Sequence, residues 1–219
     1  MLYLPHKLFN KETAKDLKDR LMACPDWVDG RETALGKAKE IKKNLQLKIG
    51  DSYRNFSQEI LNFAQKDDIV KAYAFPQKFF SILFSRTGEG MFYGSHVDMP
   101  HHPNGRRDLS FTIFLNEPEE YKGGELVLNI PPLKPRIKLQ AGGMIIYPTK
   151  YLHEVLKVTE GERFVCVGWI QSQIANDNDR DILFNLMKSL AEIKKLPKND
   201  AAFNGINLIY MNLYKRFHD

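Results

Sequence analysis

Cysteine is scarce in this sequence: Cys24 and Cys166 are the two among 219 residues, and so wide a spacing offers no disulfide framework. Cys166 sits in the apolar run RFVCVGWI, where a free thiol packs as a small hydrophobe, so the chain reads as a protein of a reducing compartment. Long apolar runs are missing too. No stretch approaches the roughly 20 residues that span a bilayer, and the start MLYLPHKLFNKETAKDLKDR lacks the basic head and apolar core of a secretory signal. We therefore expect a soluble, cytoplasmic protein with no membrane association. Internal repeats, low-complexity segments and long linkers are also lacking. Nor is there a charge tract of one sign: 32 Lys and Arg against 27 Asp and Glu leave a net +5, and the densest basic stretch, KAKEIKKNLQLK, reads as a solvated face. Nothing in that distribution indicates nucleic-acid binding.

What is present is a pattern whose period changes twice. Asn10 is placed to cap a helix carrying Ala14, Leu17 and Leu21, ended by the turn CPDWVDG. A second helix is expected around residues 54–65, with Phe56, Ile60 and Phe63 on one face. Seven short apolar or alternating runs then follow: FFSILFSR, LSFTIFLN, ELVLNI, RIKL, GMIIYP, HEVLKV and RFVCVGWIQ, separated by Gly, Pro and Asn clusters. After WIQSQ the spacing turns helical again. Asp177 or Asp179 can cap a helix carrying Leu183, Leu186, Leu190 and Ile193, and a last helix carries Ile206, Ile209, Leu213 and Phe217. The expectation is a mainly β chain with flanking helices. A double-stranded β-helix, or jelly roll, occupies residues 77–172, with an N-terminal helical region (1–76) packed on it and a C-terminal helical extension (173–219), all as one integrated domain.

The chemistry-bearing stretch is YGSHVDMPHHPNGRRD, which sets His96 and Asp98 two positions apart. On an extended strand such residues share a face. A third ligand must come from a strand distant in sequence, and His153 in YPTKYLHEVLKV is the best candidate, since His6 and His218 lie near the termini and His101 and His102 in a Pro/Asn/Gly loop. Two His and one carboxylate on one face make the facial triad of non-haem Fe(II) oxygenases. Zinc takes the same set, so the ligands do not choose the metal. Arg163 shares its strand face with Val165, Val167 and Trp169. If that face points inward, the guanidinium needs an anion, which a dicarboxylate cosubstrate would provide; otherwise the arginine snorkels to solvent. A jelly-roll binding module without chemistry is one alternative. A zinc hydrolase is another, with Glu154 as the nearest base, although on a strand Glu154 points away from His153. The loop MPHHPNGRRD reads as a turn, a lid or a substrate-facing element carrying His101, His102, Arg106 and Arg107, and Trp169 reads as core.

The segments GEGMFYGSHVD, DLSFTIFLN, YKGGELVL, AGGMIIYP, LHEVLKVTEGER and GWIQS together resemble the PKHD-type hydroxylases, Fe(II)- and 2-oxoglutarate-dependent dioxygenases related to prolyl 4-hydroxylases. DWVDGRETA, KKNLQL and DRDILFNL extend the resemblance over nearly the whole chain. It implies that His96, Asp98 and His153 are iron ligands and that Arg163 holds the distal carboxylate of 2-oxoglutarate. Gly90 and Tyr93 match the segment before the first ligand, whereas Thr87 stands where the family commonly has tyrosine. The activity implied is oxidative decarboxylation of 2-oxoglutarate to succinate by O2, coupled to hydroxylation of a small-molecule or peptidyl substrate, with L-ascorbate as a reductant for iron oxidised in uncoupled turnovers. Because a histidine must be deprotonated to bind metal, loss of metal is expected below about pH 6.5.

Overall fold

The computed structural model describes residues 1–33, 36–197 and 200–218. The first part of the chain mixes short strands with helices: β1 (Leu4–Lys7), α1 (Lys11–Ala23), β2 (Trp27–Asp29), β3 (Lys42–Lys43), β4 (Leu45–Leu47), α2 (Asp51–Lys66) and α3 (Asp68–Ala74). Strands dominate the middle: β5 (Pro76–Thr87), β6 (Phe92–His96), β7 (His101–His102), β8 (Gly105–Arg106), β9 (Leu109–Phe114) and β10 (Tyr121–Gly123). They continue with β11 (Leu126–Asn129), β12 (Arg136–Ile137), β13 (Gly143–Pro148), β14 (Leu152–Val155), β15 (Val158–Gly161) and β16 (Arg163–Ser172). Helices α4 (Asp177–Ile193) and α5 (Asp200–Phe217) follow.

The strands form a seven-stranded sheet, β1-β13-β9-β16-β5-β4-β2, and a five-stranded sheet, β12-β11-β14-β6-β3. Every ladder in both is antiparallel, and two two-stranded sheets, β10 with β15 and the hairpin β7 with β8, complete the jelly roll. Sequence patterning placed only helices before residue 77. The structure adds four strands there, so this segment completes both sheets as well as covering one of them.

Strand parity explains the layering. Leu109, Phe111 and Ile113 of β9, Phe164, Cys166 and Ile170 of β16, Ile82 and Phe84 of β5, and Met144 and Ile146 of β13 point to one side. There they meet Ala14, Leu17 and Leu21 of α1, Phe56 and Ile60 of α2, and Val70, Tyr73 and Ala74 of α3. The alternate residues point between the sheets, where Phe114, Ile145, Tyr147 and Val165 pack on Leu126, Leu128 and Ile137. Both faces of the larger sheet are therefore buried, and Ser110 and Thr112 are buried polar groups rather than a solvated face. One bulge interrupts the pattern: Ser81, at φ 53°, lies where β5 shifts register against β16. Opposite it, a Cβ on Gly168 would come within 2.6 Å of the Phe111 ring, so glycine is needed where the strand is re-aimed.

Asn10 caps α1 as expected, accepting from the Thr13 N–H. The cap of α4 is Asn176, which accepts from Asn178 and Asp179; the expected caps Asp177 and Asp179 lie inside the first turn. In α5 the packed face is Tyr210, Leu213, Tyr214 and Phe217, while Ile209 is exposed. No helix among the described residues is long and apolar enough to cross a membrane.

Candidate active site

A cavity of about 500 Å³ opens between the two sheets, and all four residues singled out from the sequence line it: His96, Asp98, His153 and Arg163. His96 ends β6 and lies directly opposite His153 on β14. The strand stops at His96, so Asp98 is in the loop beyond it. Convergence of the pair thus owes more to hydrogen bonds on the carboxylate than to strand parity. Trp169 Nε1 donates to Asp98 Oδ2 at 2.9 Å and Ser110 Oγ donates to the same oxygen at 3.0 Å. That leaves Asp98 Oδ1 3.8 Å from His96 Nε2, while His153 Nε2 is 3.8 Å from Oδ2. One ligating atom from each residue lies within 4.8 Å of the others, a spacing that admits a single ion.

Both histidines are prepared in the same way. His96 Nδ1 is 2.8 Å from the Gly94 carbonyl and His153 Nδ1 is 3.0 Å from the Tyr151 carbonyl, each two residues back. A carbonyl can only accept, so Nδ1 carries the proton and the Nε2 lone pair faces the centre. Tyr93 stacks on His96 at 3.7 Å between ring centroids and fixes the plane of that imidazole. Burial, followed by the proximity of His153, lowers the His96 pKa to about 4. The neutral, ligating form of His96 therefore persists to a lower pH than that of an ordinary histidine.

Arg163 opens β16 opposite Thr87, the last residue of β5, and is 2% exposed. Its Nε is buried without a hydrogen-bond partner, as is the nearby Tyr121 hydroxyl. Burial pulls the guanidinium below its usual pKa. The snorkelling alternative fails on this burial. A buried guanidinium with no carboxylate bonded to it among the described residues fits an arriving anion, since burying its charge is costly. The donor set suits a divalent metal and the arginine suits a carboxylate, so iron and 2-oxoglutarate both match residues in place. Glu154 is not among the cavity residues, which removes the base that a zinc hydrolase would need.

Two cavity residues read differently in the sequence. Trp169, expected in the core, is the donor that holds Asp98. Lys42, placed on a solvated face, is 6% exposed and lines the cavity with Asn44 and Gln46; burial lowers its pKa to about 8 against the opposing pull of Asp98. The alternation of Lys42, Asn44 and Gln46 with Leu45 and Leu47 was the available signal for an inward polar strand face.

The family profile described as the 2OG-Fe(II) oxygenase superfamily matches residues 82–171. A PKHD-type hydroxylase of Prochlorococcus marinus strain MIT 9313 is 43% identical over 219 residues, covering 97% of each chain. Another, from strain NATL2A, is 40% identical over 227 residues and covers both chains fully. Among solved structures, a Pseudomonas putida prolyl-4-hydroxylase superposes with a TM-score of 0.60 at 19% identity, covering 78% of this chain and 92% of its own. A Trichoplax adhaerens prolyl hydroxylase gives 0.57 at 13% identity, with 83% and 86% covered.

Proposed function

Because this chain belongs to the PKHD-type hydroxylases of the 2OG-Fe(II) oxygenase superfamily, we propose that His96, Asp98 and His153 hold its iron and that Arg163 holds its cosubstrate. The enzyme is a dioxygenase that couples oxidative decarboxylation of 2-oxoglutarate to succinate with hydroxylation of a small-molecule or peptide substrate. Fe(II) and 2-oxoglutarate, when bound, supply the activation of O2, and its two oxygen atoms end in succinate and in the product hydroxyl. The chain's own residues supply placement. Each imidazole offers Nε2 because its Nδ1–H is spent on a backbone carbonyl. Trp169 and Ser110 hold one Asp98 oxygen in place. Arg163 offers a buried fork matched to a carboxylate, and the apolar walls Leu83, Val165 and Val167 limit water.

The observation that carries this reading is the convergence of three ligating atoms within 4.8 Å beside a buried arginine lacking a partner for Nε. The two free thiols support a reducing, cytoplasmic setting, in which ascorbate would serve as the reductant for iron oxidised in uncoupled turnovers. Metal-free protein given Fe(II) and 2-oxoglutarate without oxygen should develop a visible metal-to-ligand charge-transfer band, and an Asp98→Ala variant should not. Tight Fe(II) binding in both proteins, or no band in either, would remove these residues from the assignment.

A further inference from the structure

The loop after Asp98 carries two adjacent arginines, and the fold uses them differently. Arg106 is tied into the scaffold. Its Nε donates to Asp108 Oδ1 at 3.1 Å and its terminal nitrogen donates to the Ser172 carbonyl at 3.0 Å. Arg107 turns into the cavity instead. Its guanidinium carbon lies 4.0 Å from the Trp169 ring centroid, and its Nε is buried without a hydrogen-bond partner. The guanidinium therefore rests on the face of the same indole whose N–H holds Asp98. A guanidinium stacked on an aromatic ring has lost little freedom still to lose, and its planar fork remains available for a two-oxygen acceptor.

Charge in the cavity favours such an acceptor. Among the described residues, the Lys and Arg side chains along its wall are Lys42, Arg107 and Arg163, and the carboxylate is Asp98. Fe(II) adds two positive charges and 2-oxoglutarate two negative ones, so loading the enzyme leaves the positive excess unchanged. Arg163 and Asp98 are then both engaged, and Arg107 still presents its guanidinium to the space beyond. A partly enclosed site of that sign concentrates anions. A lone planar fork over a ring matches a carboxylate, whereas phosphate sites gather several converging donors.

We infer that Arg107, held on the face of Trp169, binds a carboxylate of the primary substrate, so that this enzyme hydroxylates an acidic substrate. The inference rests on the reading of His96, Asp98 and His153 as the iron site and adds the substrate class. The carboxylate can belong to a small acid or to an acidic side chain of a peptide, and the test separates these sources.

Oxygen-free enzyme loaded with Fe(II) and 2-oxoglutarate is titrated calorimetrically with two matched pairs. One is N-acetylalanine against N-acetylalaninamide, and the other is acetyl-Ala-Glu-Ala-amide against its glutamine counterpart. The acid of at least one pair should bind ten-fold or more tightly than its amide, and that pair identifies the source. In Arg107→Gln the preference should vanish while the charge-transfer band persists, and Arg107→Lys, which keeps the charge without the fork, should recover part of it. Equal binding of acid and amide by the parent, including no binding of either, overturns the inference, as does an acid preference that survives Arg107→Gln. A parent without the band overturns the iron-site reading and this inference with it, whereas a band with no acid preference overturns the inference only.

Discussion

Thr87 lies directly across the β5–β16 ladder from Arg163, and both residues are 2% exposed. A hydroxyl and a guanidinium thus share one buried wall, at the position where the family resemblance leads one to expect tyrosine. The threonine side chain reaches less far, while Tyr121 brings a buried phenol close to the same arginine from β10. Arg163 and Thr87 therefore line the same part of the cavity, with the Tyr121 phenol close to the arginine.

Replacing the arginine should separate cosubstrate binding from folding. Arg163→Met keeps the bulk of the side chain and removes the charge. We expect 2-oxoglutarate affinity to fall by roughly 100-fold, the scale of a lost charge-assisted pair, with Fe(II) binding retained. Thermal unfolding of the ligand-free variant should be no lower than that of the parent, because burying a cation with no carboxylate bonded to it is itself a cost. A large drop in melting temperature would show that Arg163 supports the fold instead.

The indole at Asp98 should matter to the metal. Trp169→Phe preserves an aromatic ring and deletes the donor to Oδ2. Removing such an outer partner typically weakens metal binding by about 10- to 100-fold, and competition of Fe(II) against a chelator would measure it. Unchanged affinity would mean that Ser110 is sufficient to hold the carboxylate.

Acid should destabilise the metal-free protein through His96. In the unfolded chain this residue takes up a proton below about 6.5, whereas in the folded chain it does so only below about 4. Between those values the unfolded state binds more protons, so stability falls as the pH drops through this window. Urea midpoints of metal-free parent and His96→Asn variant, compared from pH 7 to 4.5, should converge as the pH falls. Parallel pH profiles would contradict the assignment.

The neighbouring arginines should fail in different assays. Asp108 accepts from Arg106 and from the Ser172 N–H, joining the β7–β8 hairpin to the end of β16. Asp108→Ala should lower stability by about 1 to 3 kcal/mol, because it takes one acceptor from Arg106 and leaves the Ser172 N–H without its acceptor. Arg106→Ala should likewise lower the melting temperature, and Arg107→Ala should not. Similar melting temperatures for the two arginine variants would count against this division.

Much of this architecture could be read from the sequence, for reasons that differ by element. LSFTIFLN, GMIIYP and RFVCVGWIQ were legible because each carries a long apolar period-2 set, and β9, β13 and β16 lie at the centre of the larger sheet. Strands β1 to β4 were not legible, since two to four residues give no measurable period. β6 carries no apolar alternation, because a cavity wall requires polar residues, but His96 was rightly placed at a strand end. β15, which pairs with β10, lay almost wholly beyond the run HEVLKV. His96, Asp98, His153 and Arg163 were found through strand position, spacing and family resemblance together. Lys42 and Trp169 were passed over because charge predicts exposure and an indole predicts core, and a cavity inside a jelly roll reverses both expectations.

The larger sheet ends on β1 at one side and β2 at the other, four and three residues long. Pro5 in β1 has no amide proton to offer a neighbouring chain. Short rims interrupted by proline are poor templates for strand addition from another molecule. Concentrated solutions of the folded protein should accordingly resist edge-to-edge fibril growth, and colloidal loss would begin with unfolding rather than with docking of intact sheets.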